Sequence, residues 1–407
     1  MSIKISFIIP VYNCEKYIIR CLDSIYSQRL SLSDFEVICV NDCSTDNSRV
    51  LIECYSKRHN NLFLLNNDIN RGNSYSRNRG LCVAKGEYVE FVDADDFLLK
   101  DITKRFLDEI DDDLDYMEFR FIHGYENKET YVNNGSSLFN GTGKLSGTEF
   151  IKRYANSPEF DICVFTKIIR RDFLKKNNII FINDVNIGED GLFSLEVMLK
   201  AEKMKKIPEY GYVYFHRSHS ITMSEITVSS LENLICGCIC LKEMIQENVA
   251  SQNDIDLFNA CIVYYDKVLR IAKSMYKRIT YLPKNYKYRN EKIQMAISLL
   301  SLRYNGYFKH KLPDNFINNI IKYDKIVIYG AGEVGKGLYV LLDDYGIRNK
   351  YLAVSDEVHI SGNEQVINVF SRNKDAILIA SEKYSNELNQ NAVELGFRHV
   401  INMERYM

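Results

Sequence analysis

Between residues 5 and 96 the chain alternates short β-branched runs with segments whose apolar residues recur every three or four positions. No other feature limits the fold as much. Residues 5–11 form a strand-like run, and Tyr17, Ile18, Cys21, Leu22 and Ile25 follow at helical spacing behind a candidate cap at Asn13. Residues 35–40 give a second strand, 44–48 a loop rich in capping residues, and Val50, Leu51, Cys54 and Tyr55 a second helix. A third strand over 62–65, a third helix near 73–84 and a fourth strand over 88–92 continue the series. Strands separated by helices pair in parallel through crossovers, so an α/β domain on a largely parallel sheet is expected.

The rhythm fades after residue 97, where helical pieces mix with loops such as the Gly- and Asn-rich 133–147. This stretch is read as the remainder of a first domain over 1–225. Residues 226–322 are helical in pattern, with Val268, Ala272, Met275, Ile279 and Leu282 on one stripe, and read as a connector. Strand, glycine turn and helix resume at Lys325, giving a small α/β domain over 323–407. The chain's 407 residues suit two or three domains, and 46% hydrophobic residues exclude a disordered chain. With 52 basic against 54 acidic residues, nothing draws the whole chain to nucleic acid. No apolar run approaches the ~20 residues of a membrane span, and the N-terminus lacks the apolar core of a signal peptide. A cytoplasmic location is expected. The 11 Cys include no CxxC pair and read as reduced core thiols.

Ligands of open parallel sheets sit beyond the carboxyl ends of the strands. Tyr12 and Asn13, Asn41 and Asp42, and Asp93, Asp95 and Asp96 follow three of the four strands and should share one rim. The D-x-D of Asp93 and Asp95 can hold Mg²⁺ or Mn²⁺ through hard oxygens and leave positions open for a diphosphate. Taken alone, an Asp run after a strand is more often a solvated loop or a helix cap.

Six ordered pieces change that balance: Phe7-Ile-Ile-Pro-Val-Tyr-Asn13, Val40-Asn-Asp-Cys-Ser-Thr-Asp46, Asn70-Arg-Gly72, Ser76-Arg-Asn78, Gly86-Glu-Tyr88 and Phe91-Val-Asp-Ala-Asp-Asp96. Together they resemble the family 2 glycosyltransferases of GT-A fold. Thr166-Lys-Ile-Ile-Arg-Arg171, Gly188-Glu-Asp-Gly-Leu-Phe193, Tyr214-Phe-His-Arg217 and Ser220-Ile-Thr222 extend the likeness into the acceptor half of bacterial surface-polysaccharide members. The resemblance implies that Pro10, Tyr12 and Asp42 line the nucleobase pocket, that Asp93 approaches ribose and metal, and that Asp95 is the principal metal ligand. It makes Asp190 the general base of an inverting displacement, with Glu189 as substitute, and brings Arg77, His216 and Arg217 to the diphosphate. The implied donor is a UDP-sugar, and the implied acceptor a glycan or lipid-linked oligosaccharide. The family's usual Asp pair after strand two stands here as Asn41-Asp42, and the Gly after it as Cys43, which a positive φ would strain. Each site residue also has a plain structural reading: Tyr12 can pack, Asp42 and Asp46 can cap helices, Glu189 and Asp190 can favour a helix N-terminus, and His216 can be a satisfied residue among aromatics.

The C-terminal domain carries Gly330, Gly332 and Gly335 directly after a strand, with Asp356 ending the next one, the spacing of a dinucleotide fingerprint. Its short length leaves two readings, a nucleotide site in a Rossmann-like domain or a packing and oligomerisation module. Nine basic residues lie between Lys267 and Lys292 against the single acid Glu291, with Tyr276, Tyr281, Tyr286 and Tyr288 interleaved. Such a segment suits either the inner membrane surface or a solvated helix face. The rivals to a transferase are an NAD-dependent sugar-nucleotide oxidoreductase working through the C-terminal domain, and a non-catalytic sugar-nucleotide scaffold.

Overall fold

In the computed structural model, which describes residues 3–110, 113–126, 128–133, 138–183, 185–217, 227–249, 254–279, 286–303, 312–329, 337–339, 342–348, 350–353, 376–379 and 398–402, the N-terminal rhythm becomes a sheet. β1 (Ile5–Val11) and β2 (Phe35–Asn41) are buried at every position, as β-branched runs covered on both faces should be. They pair in parallel from Ile5 opposite Phe35 to Val11 opposite Asn41. β3 (Leu62–Asn66) and β4 (Tyr88–Phe91) extend the parallel set on either side. The crossovers are α1 (Ile18–Tyr26), α2 (Ser48–Ser56) and α3 (Gly72–Val83).

Asn13 does not cap α1. It has a left-handed φ of 51°, the helix begins one turn later at Ile18, and its Oδ1 accepts from Thr45 N at 2.8 Å, tying the loop after β1 to the loop after β2. α3 is polar in sequence, yet Ser74, Ser76, Arg77 and Gly80 are buried. A Cβ at Gly80 would run into Ile8 Cγ2, so the glycine lets the helix lie directly on β1.

Beyond β4 the sheet turns mixed. β5 (Phe97–Leu98), β6 (Tyr116–Tyr125), β7 (Lys128–Asn133), β8 (Lys167–Arg170) and β9 (Met204–His216) join it, interspersed with α4 (Ile102–Glu109), α5 (Gly147–Tyr154), α6 (Arg171–Lys176) and α7 (Glu189–Lys200). The strand order is β3-β2-β1-β4-β8-β6-β9-β5, with β7 on β6. β8 is antiparallel to both neighbours, β6 and β9 run parallel, and β5 is antiparallel to β9.

The chain divides into two compact units, residues 1–225 with 240–268, and residues 226–239 with 269–407. α8 (Val228–Asn248) and α9 (Ile255–Arg278) each contribute residues to both. Buried residues run along the whole of α8, from Leu231 and Leu234 to Leu241 and Ile245. The second unit also holds α10 (Glu291–Arg303), α11 (Asp314–Ile320) and four parallel strands, β10 (Ile326–Tyr329), β11 (Lys350–Ala353), β12 (Ala376–Ile379) and β13 (Val400–Asn402). Their order is β11-β10-β12-β13, over a core that includes Phe316, Ile320, Ile326, Ile328 and Leu378. Gly330, Gly332, Gly335 and Asp356 lie outside the described residues. Among the described residues no helix is long and apolar enough to cross a membrane.

Candidate active site

The loop after β4 turns back on itself, Asp96 N donating to Asp93 O at 3.0 Å, and so spreads three carboxylates at the sheet rim. Their environments differ. Asp96 is 1% exposed; its Oδ2 accepts from Tyr212 Oη at 2.8 Å and its Oδ1 from Phe215 N at 2.7 Å, so it anchors the loop to β9. Burial, with Asp95 and Asp93 adding to it, raises its carboxyl well above the ordinary range. Tyr212 Oη also accepts from Asp93 N at 3.0 Å. The side chains of Asp93 and Asp95 keep 22% and 21% exposure and face the rim. Asp95 pairs with Arg217 Nε at 2.8 Å, and its backbone oxygen accepts from Arg20 Nη2 at 2.7 Å. Arg20 in turn lies over the rings of Phe215 and Phe97, at 3.9 and 4.5 Å. Sequence reasoning missed both Arg20 and Tyr212, because nothing in the local pattern of α1 or β9 sets either apart.

Arg77 is the junction of the site. It is 1% exposed, and both terminal nitrogens are engaged: Nη2 donates to Asp93 Oδ1 at 2.8 Å, and Nη1 to Asp190 Oδ1 at 2.6 Å and Glu189 Oε1 at 3.2 Å. Burial works against its charge, but Asp190, Asp93 and Glu189 outweigh that and raise it above its ordinary value. The expectation that Arg77 reaches a diphosphate is corrected accordingly: the guanidinium is enclosed and ties the D-x-D loop to the first turn of α7. Gly188, at φ 82°, turns the chain into that helix, and Glu189 and Asp190 stand where the helix dipole favours acids. Burial nevertheless pushes the Asp190 carboxyl up to about 8, Arg77 opposing the shift and Glu189 and Asp93 adding to it. A carboxylate so placed can take a proton near neutral pH.

The rest of the rim divides between reach and support. Tyr12 is 42% exposed, whereas Pro10 is buried opposite Val40. Asp42 is 3% exposed and spent on local backbone: Oδ1 accepts from Asn67 Nδ2 at 2.7 Å and Arg71 N at 2.9 Å, Oδ2 from Gly72 N at 2.7 Å. It therefore fixes the start of α3, as its capping reading has it. Cys43 does adopt the left-handed conformation, with φ 60°. His216 closes β9 between aromatics, stacked on Tyr125 at 4.7 Å, with Nε2 2.7 Å from His123 Nδ1. Burial and then His123 lower its pKa, which leaves a neutral, satisfied ring.

Asp93 and Asp95 have the chemistry for a hard divalent cation. Burial raises the Asp95 carboxyl, Arg217 opposing the shift and Asp93 adding to it, and a cation bound there would favour its charged form. No group of three or more metal-ligating side chains exists among the described residues. Other positions on a metal held here would fall to a diphosphate and water.

Residues 6–177 match the model of the family described as Glycosyl transferase family 2. The chain is 31% identical over 258 residues to the uncharacterized glycosyltransferase EpsJ of Bacillus subtilis, covering 63% of this chain and 72% of that one. It is 33% identical over 233 residues to the poly(ribitol-phosphate) beta-N-acetylglucosaminyltransferase TarS of Staphylococcus aureus, covering 56% of this chain but only 38% of the relative. The crystal structure of S. aureus TarS 1–349 in complex with UDP superposes with a TM-score of 0.50 at 23% identity, covering 74% of this chain and 80% of that one.

Proposed function

Since the chain belongs to glycosyl transferase family 2 and has the GT-A fold, we propose that it is a metal-dependent inverting transferase that moves a sugar from a UDP-sugar to a hydroxyl of a bacterial surface polymer. The observation that carries the reading is Arg77, whose one guanidinium holds the donor-side Asp93 and the acceptor-side Asp190 together. Tyr12, the exposed aromatic at the end of β1, packs against the nucleobase. Asp95 and Asp93 hold Mn²⁺ or Mg²⁺, which when bound offsets charge on the leaving diphosphate. Arg217, which pairs with Asp95 here, would meet the same diphosphate with Asp95 on a metal.

Asp190 takes the acceptor proton as its oxygen attacks the anomeric carbon from the side opposite the leaving group. One base suffices, and inversion follows. Arg77 keeps that carboxylate oriented while remaining out of reach of substrate. The acceptor is a glycan, a lipid-linked oligosaccharide or a polyol-phosphate chain, the last suggested by the name of the TarS relative. The basic segment between Lys267 and Lys292 then brings the enzyme to the inner membrane surface. The test is UDP release from UDP-glucose and UDP-GlcNAc, with and without Mn²⁺ and poly(ribitol phosphate), in wild type and Asp190→Asn. Turnover that survives Asp190→Asn removes the proposed base, and donor turnover indifferent to chelation removes the metal.

A further inference from the structure

Glu118 on β6, Lys167 on β8 and Lys206 on β9 are buried, at 0%, 0% and 2% exposure. Glu118 Oε2 is 3.2 Å from Lys167 Nζ, and its Oε1 is 2.5 Å from Lys206 Nζ. Enclosed charges of this kind are costly to desolvate and give little net stability. The two ammonium groups share one target. Lys167 Nζ donates to Asp161 O at 3.0 Å and Cys163 O at 2.9 Å, and Lys206 Nζ to Glu159 O at 2.6 Å. Three carbonyls of one loop are thus held from within the sheet.

The loop then meets the helix that carries the base. A Cβ at Gly191, the residue after Asp190, would lie 3.1 Å from Ile162 Cδ1 and would collide with Tyr264 Oη. The first turn of α7 is therefore gripped between the loop and α9. Residues 157–163 also line a cavity of about 340 Å³, together with Arg120 and Lys267.

We propose that Lys167 is a positioning residue for Asp190: with Glu118 and Lys206 it sets Asp161–Cys163 as a wall against the first turn of α7 and so fixes where the base carboxylate stands. The proposal rests on Asp190 being the base. Besides Lys167, the charged groups acting on Asp190 are Arg77 from α3, Asp93 from the loop after β4 and Glu189 beside it on α7. The charge of Lys167 opposes the burial that raises Asp190, so the lysine acts through space as well as through the loop.

The experiment compares the full chain with Lys167→Met, Lys167→Arg and Glu118→Gln by three readouts: UDP affinity with Mn²⁺, the pH dependence of UDP release from UDP-glucose and UDP-GlcNAc, and amide exchange at residues 161–165 and 189–193. Lys167→Met should keep UDP affinity, lose about tenfold or more in turnover, move the acidic limb to higher pH and speed exchange in both segments. Lys167→Arg, which keeps the charge but not the reach to both carbonyls, should fall between. A folded Lys167→Met with unchanged turnover and limb overturns the proposal, and so does a loss of UDP affinity in proportion to turnover. Should Lys167→Met fail to fold, Lys167→Arg and Glu118→Gln carry the same comparison. If wild type releases no UDP, the transferase reading fails on its own, while exchange at 189–193 still decides whether the triad holds α7.

Discussion

Two strand ends of the same sheet carry an aspartate in nearly equivalent places and use it in opposite ways. After β2, Asp42 is closed over by Asn67 and by the amides of Arg71 and Gly72. After β4, Asp93 and Asp95 meet guanidinium groups instead and keep about a fifth of their surface open. The difference comes from the backbone near each strand end. The chain after β3 returns its backbone N–H groups to Asp42 at the start of α3, whereas after β4 the Tyr212 hydroxyl and the Phe215 N–H of β9 go to Asp96, and Asp93 and Asp95 go to Arg77 and Arg217.

The sharpest break in this contrast lies across Arg77. Asp190→Asn should lower transfer by about 10²–10⁴-fold with UDP affinity intact, by kinetics set against calorimetric titration. In wild type the carboxyl takes up its proton near pH 8, so kcat should fall about tenfold per unit below about pH 8 and level off above it, and Asp190→Asn should lack that limb. Arg77→Met, which strands three carboxylates, should cost about 3–5 kcal/mol in urea unfolding. The two strand ends then separate: Asp95→Ala should remove about 1–3 kcal/mol of coupling between Mn²⁺ and UDP while sparing stability. Asp42→Ala should instead lose about 1–2 kcal/mol of stability, and weaken UDP binding whether or not Mn²⁺ is present. The smallest effect is expected next door, where Cys43→Gly relieves a left-handed residue and should stabilise by less than about 1 kcal/mol, the flexibility of glycine in the unfolded chain offsetting part of the gain.

The first four strands could be read from the sequence because each is a local run with its own period, and the acids at their ends followed from the parallel topology. Arg77 could not be placed the same way. It sits in Ser-Tyr-Ser-Arg-Asn-Arg-Gly, a segment that looks solvated, yet α3 buries Ser74, Ser76, Arg77 and Gly80 against the sheet. Hydrophobic periodicity is blind to a helix packed through hydroxyls, a glycine and a compensated cation. The cap at Asn13 failed for a related reason: the side chain bonds across to Thr45 N, a partner supplied by another loop. Glu118, Lys167 and Lys206 lie on three different strands, and only the assembled sheet gives them a common purpose.

The holding of Asp96 by β9 has a consequence for the order in which the protein is made. Asp96 and Phe215, whose N–H it accepts, are 119 residues apart in sequence, as are Asp93 and Tyr212. A nascent chain that has emerged only as far as β8 can pair β1 to β4, but the D-x-D loop still lacks Tyr212, Phe215 and Arg217. On the proposed role of the D-x-D loop, competence for donor arrives late in synthesis, when β9 docks, and a ribosome-stalled chain ending before residue 212 should carry a parallel sheet that ignores UDP.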